Sequence, residues 1–140
     1  MKLESERFKT EMFETKQLPE RPTATAPDGA AVRELLTLGS GSMSHFELGT
    51  GQTSAAVTHR TVEELWYFLT GSGQMWRRQG DRDEVVDVGP GIAISIPVGT
   101  HFQFRSTGDE PLAAIAVTMP PWPGPGPGPN EAYSVPGNWS

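Results

Sequence analysis

His59 stands five residues before the second of two adjacent glutamates, Glu63 and Glu64, in the run HRTVEELWYFLTGSG, 59–73. An imidazole and a carboxylate held side by side can pass a proton near neutral pH, because histidine titrates at about 6.5 when unperturbed. A shared apolar enclosure moves both groups: desolvation raises the carboxyl pKa, and a neighbouring imidazolium lowers it. The chemistry on offer is general acid–base catalysis, with His59 as base and Glu64 as its orienter or as acid. The same two side chains also read as a pair that satisfies itself by hydrogen bonding and does nothing further.

Other chemistries are poorly supplied. The chain has no cysteine, which removes disulfides, thiolate metal sites and cysteine nucleophiles. No serine stands in a nucleophile-elbow context, and the glycine-rich tail lacks the GxxxxGK[ST] phosphate loop. Arg60, Arg77 and Arg78 can hold an anion, but they read first as solvated strand positions paired with Asp81 or Glu84. His45 reads as a surface residue and His101 as a rim or interface residue. The net charge of −6 argues against nucleic acid and anionic membranes as partners. No apolar run is long enough to span a bilayer, and the opening residues, rich in glutamate, do not resemble a signal peptide. A soluble cytoplasmic protein is expected.

The elements that must position His59 and Glu64 read as strands. VRELLTL (32–38), SMSHFEL (42–48), TSAAVTH (53–59), ELWYFLT (64–70), GQMWRR (73–78), EVVDV (84–88), IAISIPV (92–98), HFQFR (101–105) and LAAIAVTM (112–119) are short, and Gly, Pro, Asp and Ser punctuate them. With no long helical pattern this means an all-β sandwich or barrel. ELWYFLT is apolar on both faces and should sit centrally in a sheet. Residues 1–30 form an N-terminal arm, either lying on the barrel or a partner or frayed, with a short helix possible over 5–16. Residues 31–119 form the barrel. Residues 120–140, PPWPGPGPGPNEAYSVPGNWS, alternate Pro with Gly and are poor in amide donors, so much of the segment is unfit for a sheet. Trp122, Tyr133 and Trp139 are costly to leave in water, which favours a tail that wraps over the barrel or reaches a neighbouring subunit.

The span from about 48 to 117 resembles the cupin superfamily of small β-barrels. His59, Glu64 and Gly71 match the second histidine, the glutamate and the final glycine of the first cupin motif, with the six residues Leu65 to Thr70 between the last two. Gly91, five residues, then Pro97-Val98-Gly99 match the second motif in register. The resemblance implies an all-β cupin jelly roll, closed or nearly closed, that pairs as a homodimer through edge strands. It implies a metal site of three histidines and the glutamate, but here the first histidine falls on Val57 and the third on Phe102. His59 and Glu64 alone are too few for a tight divalent site, so no metal or other cofactor is expected. A metalloenzyme that recruits His101 or Gln103 through a rearranged strand is the alternative.

Alternation by itself would pair His59 with Glu63. The resemblance instead points Glu64 inward, with a break at Arg60-Thr61-Val62. Glu64, Trp66 and Phe68 then line a cavity while Leu65, Tyr67 and Leu69 lie on the other side. Val57, Phe102 and Phe104 complete the walls, Gln103 can reach in if its strand bulges, and Met75 or Trp76 adds to the lining. A hydrophobic wall at Phe102 suits a small apolar or aromatic molecule. Two functions follow: a metal-independent enzyme of isomerase or lyase type, or a module that binds a small metabolite without turnover.

Overall fold

A computed structural model describes residues 11–124 and 131–140. Its strands are β1 (Ala24–Thr25), β2 (Ala31–Leu38), β3 (Gly41–Leu48), β4 (Val57–His59), β5 (Glu63–Thr70), β6 (Gly73–Gln79), β7 (Arg82–Val88), β8 (Ala93–Ile96), β9 (His101–Ser106), β10 (Leu112–Met119) and β11 (Ala132–Ser134). They form two antiparallel sheets, one in the order β1-β2-β3-β10-β5-β8 and the other β11-β4-β9-β6-β7. The architecture is an all-β jelly roll of two facing sheets. Half of the helix expected over 5–16, residues 5–10, lies outside the described residues, and residues 11–16 carry none. No helix among the described residues is long and apolar enough to cross a membrane.

Alternation along the strands builds the interior. Phe46 and Leu48 on β3, Trp66 and Phe68 on β5, and Ile94 and Ile96 on β8 face Val57, Met75, Phe102 and Phe104 of the other sheet. Ala114 and Ala116 on β10 stand opposite Phe68 and Trp66 on β5. Their small side chains leave room for the aromatic rings, whose centroids lie 4.3 Å apart for Phe46–Trp66 and 5.1 Å for Trp66–Phe104. Gly71 closes the β5–β6 turn at φ +78°, and a Cβ there would lie 2.4 Å from the Pro111 carbonyl oxygen. Both facts demand glycine at the end of the first motif.

Two expectations need correction here. β5 is an interior strand of its sheet, as expected of ELWYFLT, but Leu65, Tyr67 and Leu69 on its outer face are exposed rather than packed. The C-terminal segment also does join a sheet, for Ala132–Ser134 pairs antiparallel with His59, Thr58 and Val57 of β4. These three residues follow the Pro-Gly alternation and have their amides, which is why they can pair.

Candidate functional site

His59 ends β4, and the chain breaks at Arg60-Thr61-Val62 before β5 begins. The break is held by Glu131, whose carboxylate accepts the Thr61 amide at 2.7 Å, the Thr61 hydroxyl at 2.8 Å and the Val62 amide at 2.6 Å. This local turn decides which glutamate enters the interior: Glu63 is exposed and Glu64 is buried. Glu64 Oε2 lies 3.0 Å from His59 Nε2, and Glu64 Oε1 accepts the Trp66 indole N–H at 3.1 Å. The imidazole lies nearly parallel to the Phe102 ring, 5.9 Å away and inclined by 16°. Its Nδ1 is buried without a hydrogen-bond partner, 3.7 Å from Glu131 Oε1.

A cleft of about 510 Å³, counted out to its open mouth, lies over this pair. Val57, His59, Glu64, Trp66 and Phe102 line it, joined by Asp28 and Trp122 from the flanking segments. Asp28 sits in the Pro-Asp-Gly turn before β2, where its Oδ1 accepts the Ala30 amide at 3.0 Å. Burial pushes its carboxyl up to about 6, with the charge of Glu64 adding to the rise and the Ala30 amide and His59 opposing it. Burial pulls the His59 imidazole down, but the hydrogen bond to Glu64 and the charges of Glu64, Glu131 and Asp28 outweigh it, so His59 sits above its ordinary value. For Glu131 burial raises the carboxyl, and the Thr61 and Val62 donors together with His59 bring it below its usual range.

Several residues fall elsewhere than expected. Phe68 and Phe104 are fully buried but stand behind Trp66 in the core rather than on the cleft wall. Gln103 faces away from the cleft and is buried under the C-terminal tail. Its amide donates to the Ser54 and Trp139 carbonyls at 2.9 and 3.0 Å, and its oxygen accepts the Asn138 and Trp139 amides, each at 2.9 Å. That fills the hydrogen-bonding capacity of a glutamine side chain, so it has none left for a ligand. Met75 enters the core, and Trp76 lies on the outer face of its sheet, still buried, donating to Asp83. His45 is buried rather than at the surface: it lies on the outer face of its strand, but its cross-strand neighbours Arg33 and Ile115 flank it. Burial, and next Arg33, lower its pKa. His101 is partly exposed and lies off the cleft, Arg77 pairs with Glu84 at 3.3 Å, and Arg60 lies over the Tyr133 ring at 4.3 Å.

Sequence reasoning missed Asp28 and Glu131. Asp28 read as ordinary turn chemistry. Glu131 is the single charged residue of 120–140, and that isolation was the available signal. The metal centre implied by the resemblance does not fit the donors present. Val57 and Phe102 supply none, and both Glu64 oxygens already serve His59 and Trp66. Among the described residues no three His, Cys, Asp or Glu side chains are grouped to hold an ion.

The chain was compared with known proteins. A sequence profile for the cupin domain matches residues 44–118. No curated protein matches the chain. Among solved structures, BH2720 from Bacillus halodurans is similar at 25% identity and TM-score 0.60, over 65% of this chain and 70% of that one. A Streptomyces PAC13 variant with uridine is similar at 14% identity and TM-score 0.66, over 89% and 92% of the two chains. KdgF from Halomonas is similar at 12% identity and TM-score 0.63, over 76% and 94%. With two facing antiparallel sheets and a profile match over more than half its length, the chain belongs to the cupin family.

Proposed function

We propose that the chain is a metal-independent proton-transfer enzyme, of isomerase or lyase type, acting on a small and largely apolar molecule. The observation that carries this reading is the His59 Nε2–Glu64 Oε2 contact of 3.0 Å at the floor of an aromatic-walled cleft. Because its pKa is raised, His59 serves as the proton donor rather than as the base. Asp28, on the same cleft, adds negative charge that helps hold His59 protonated. Glu64 is a positioning residue that keeps the imidazolium charged and fixed. One observation favours the alternative, a binding module without turnover: Nε2 and both Glu64 oxygens are already engaged with each other and with Trp66.

Deuterium wash-in separates the two. The protein is incubated in deuterium oxide with a panel of aryl alkyl ketones, some bearing an amino group, and exchange beside the carbonyl is followed by NMR. The proposal expects exchange that falls about 10²-fold or more in a His59→Gln variant that still folds. Ligands that bind but undergo no exchange beyond the buffer rate would leave the binding module standing.

We further propose that the chain pairs with a second copy through the outer face of the six-stranded sheet, not through edge strands. Leu65, Tyr67, Leu69 and Met43 are exposed there, and Ile115 and Val117 lie on the same face as cross-strand partners of Tyr67 and Leu65. A contiguous apolar face is unusual on a monomer. Its centre is uncharged and an Arg33–Glu47 pair flanks it, so the surface can meet itself about a two-fold axis. Sedimentation velocity should give a dimer for the native chain and a monomer for Tyr67→Lys. A native monomer overturns this pairing.

A further inference from the structure

The charges around the cleft do not balance. Asp28 and Glu64 line it, and Glu131 lies 3.7 Å from His59. Among the described residues on the lining His59 is the one cationic side chain, and its Nε2 is held by Glu64 at 3.0 Å. Among the described residues lining the cleft there is no lysine or arginine. Glu131 has its own three donors from Thr61 and Val62. Glu64 has His59 and the Trp66 indole. Asp28 differs: Oδ1 accepts one backbone amide, and Oδ2 has no hydrogen-bond partner among the described residues. The cleft therefore presents one uncompensated carboxylate oxygen among Trp66, Phe102 and Trp122, three rings whose faces attract cations.

An anionic ligand would meet this carboxylate with no cation free to answer it among the described lining residues. A neutral hydrogen-bond donor would satisfy Oδ2 but not its charge. A protonated amine does both, and an apolar body behind it fills the aromatic walls. We infer that the cleft takes the cationic amine head of a small apolar or aromatic molecule, seated on Asp28 with its body between Trp66, Phe102 and Trp122. This rests on the reading of the cleft as a small-molecule site, and it adds the chemical class of the ligand.

The test is isothermal titration of the full chain with benzylamine, benzyl alcohol and benzoate, which share a body and differ in head group. Benzylamine is expected to bind about 10-fold or more tighter than benzyl alcohol, and benzoate more weakly than either. Asp28→Asn keeps the oxygen that accepts the Ala30 amide. It should bring benzylamine down to the affinity of the alcohol and leave the alcohol unchanged. The ranking in the native chain stands as a test even if that variant does not fold. Equal binding of all three, or a preference for benzoate, overturns the amine assignment and leaves the cleft as a small-molecule site. Binding of none of the three overturns both.

Discussion

Replacing Trp66 with alanine should cost about 3–5 kcal/mol of folding stability, the range for removing a large aromatic from a packed core. In a chain of this size that lowers the melting temperature by roughly 10–20 °C. The indole is 3% exposed and meets four aromatic rings, Phe46 at 4.3 Å, Phe104 at 5.1 Å, Phe102 at 5.8 Å and Phe68 at 5.9 Å. Ala116, its cross-strand neighbour, is too small to fill the space it leaves. The loss also reaches the site, since the indole N–H is one of the two donors that hold Glu64. Trp66→Phe should recover much of the stability but not that hydrogen bond. Thermal melts of both variants check this. A Trp66→Ala protein within about 1 kcal/mol of the native chain would show that the aromatic cluster does not carry the core.

Replacing Glu64 with leucine is the second large effect. Removing one partner of a buried charge pair costs about 3–5 kcal/mol, because the other charge is left unanswered. His59 is 8% exposed and keeps Glu131, at 3.7 Å and not hydrogen-bonded, and the charge of Asp28. The double variant His59→Phe with Glu64→Leu should be more stable than Glu64→Leu alone, since two apolar side chains leave no orphaned charge. The pH dependence should weaken as well. In the native chain His59 is raised above 6.5, so its contribution is fully present below that value and is lost as pH rises through the folded pKa. Asp28, raised from 3.8 to about 6, adds a fall of the same sense across that lower interval. Without Glu64 the two largest influences that oppose burial at His59, its hydrogen bond and its charge, are gone, so the His59 pKa falls. Stability on the alkaline side of 6.5 should then fall less with pH than in the native chain. Melts across that range in both proteins test this, and an unchanged slope would remove the pair as its origin.

The strands were largely legible because apolar alternation and turn residues repeat along 31–119. Glu64 was placed by the cupin resemblance, because alternation alone would have paired His59 with Glu63. What holds the break, Glu131, was not readable: it arrives from the far end of the chain after a Pro-Gly run, and nothing local marks a contact with Thr61. Asp28 escaped for the same reason, since its turn looks the same whether it faces solvent or a cleft. Gln103 and His45 show a different limit. Both lie on outer faces, as alternation requires, yet the C-terminal tail covers Gln103, while Arg33 and Ile115 flank His45. Facing direction is a property of the strand, whereas burial depends on what else the chain lays over it. Leu65, Tyr67 and Leu69 are the converse, apolar residues that no described part of their own chain covers.

The most direct measurement is an NMR titration of the three histidines, with His59 identified through a His59→Gln variant. The account predicts that the His59 imidazolium persists above 6.5, and that Glu64→Gln moves its midpoint down. A native His59 that titrates at or below 6.5, or one indifferent to the loss of the Glu64 charge, would contradict the claim that the cleft is floored by a charged, proton-bearing pair.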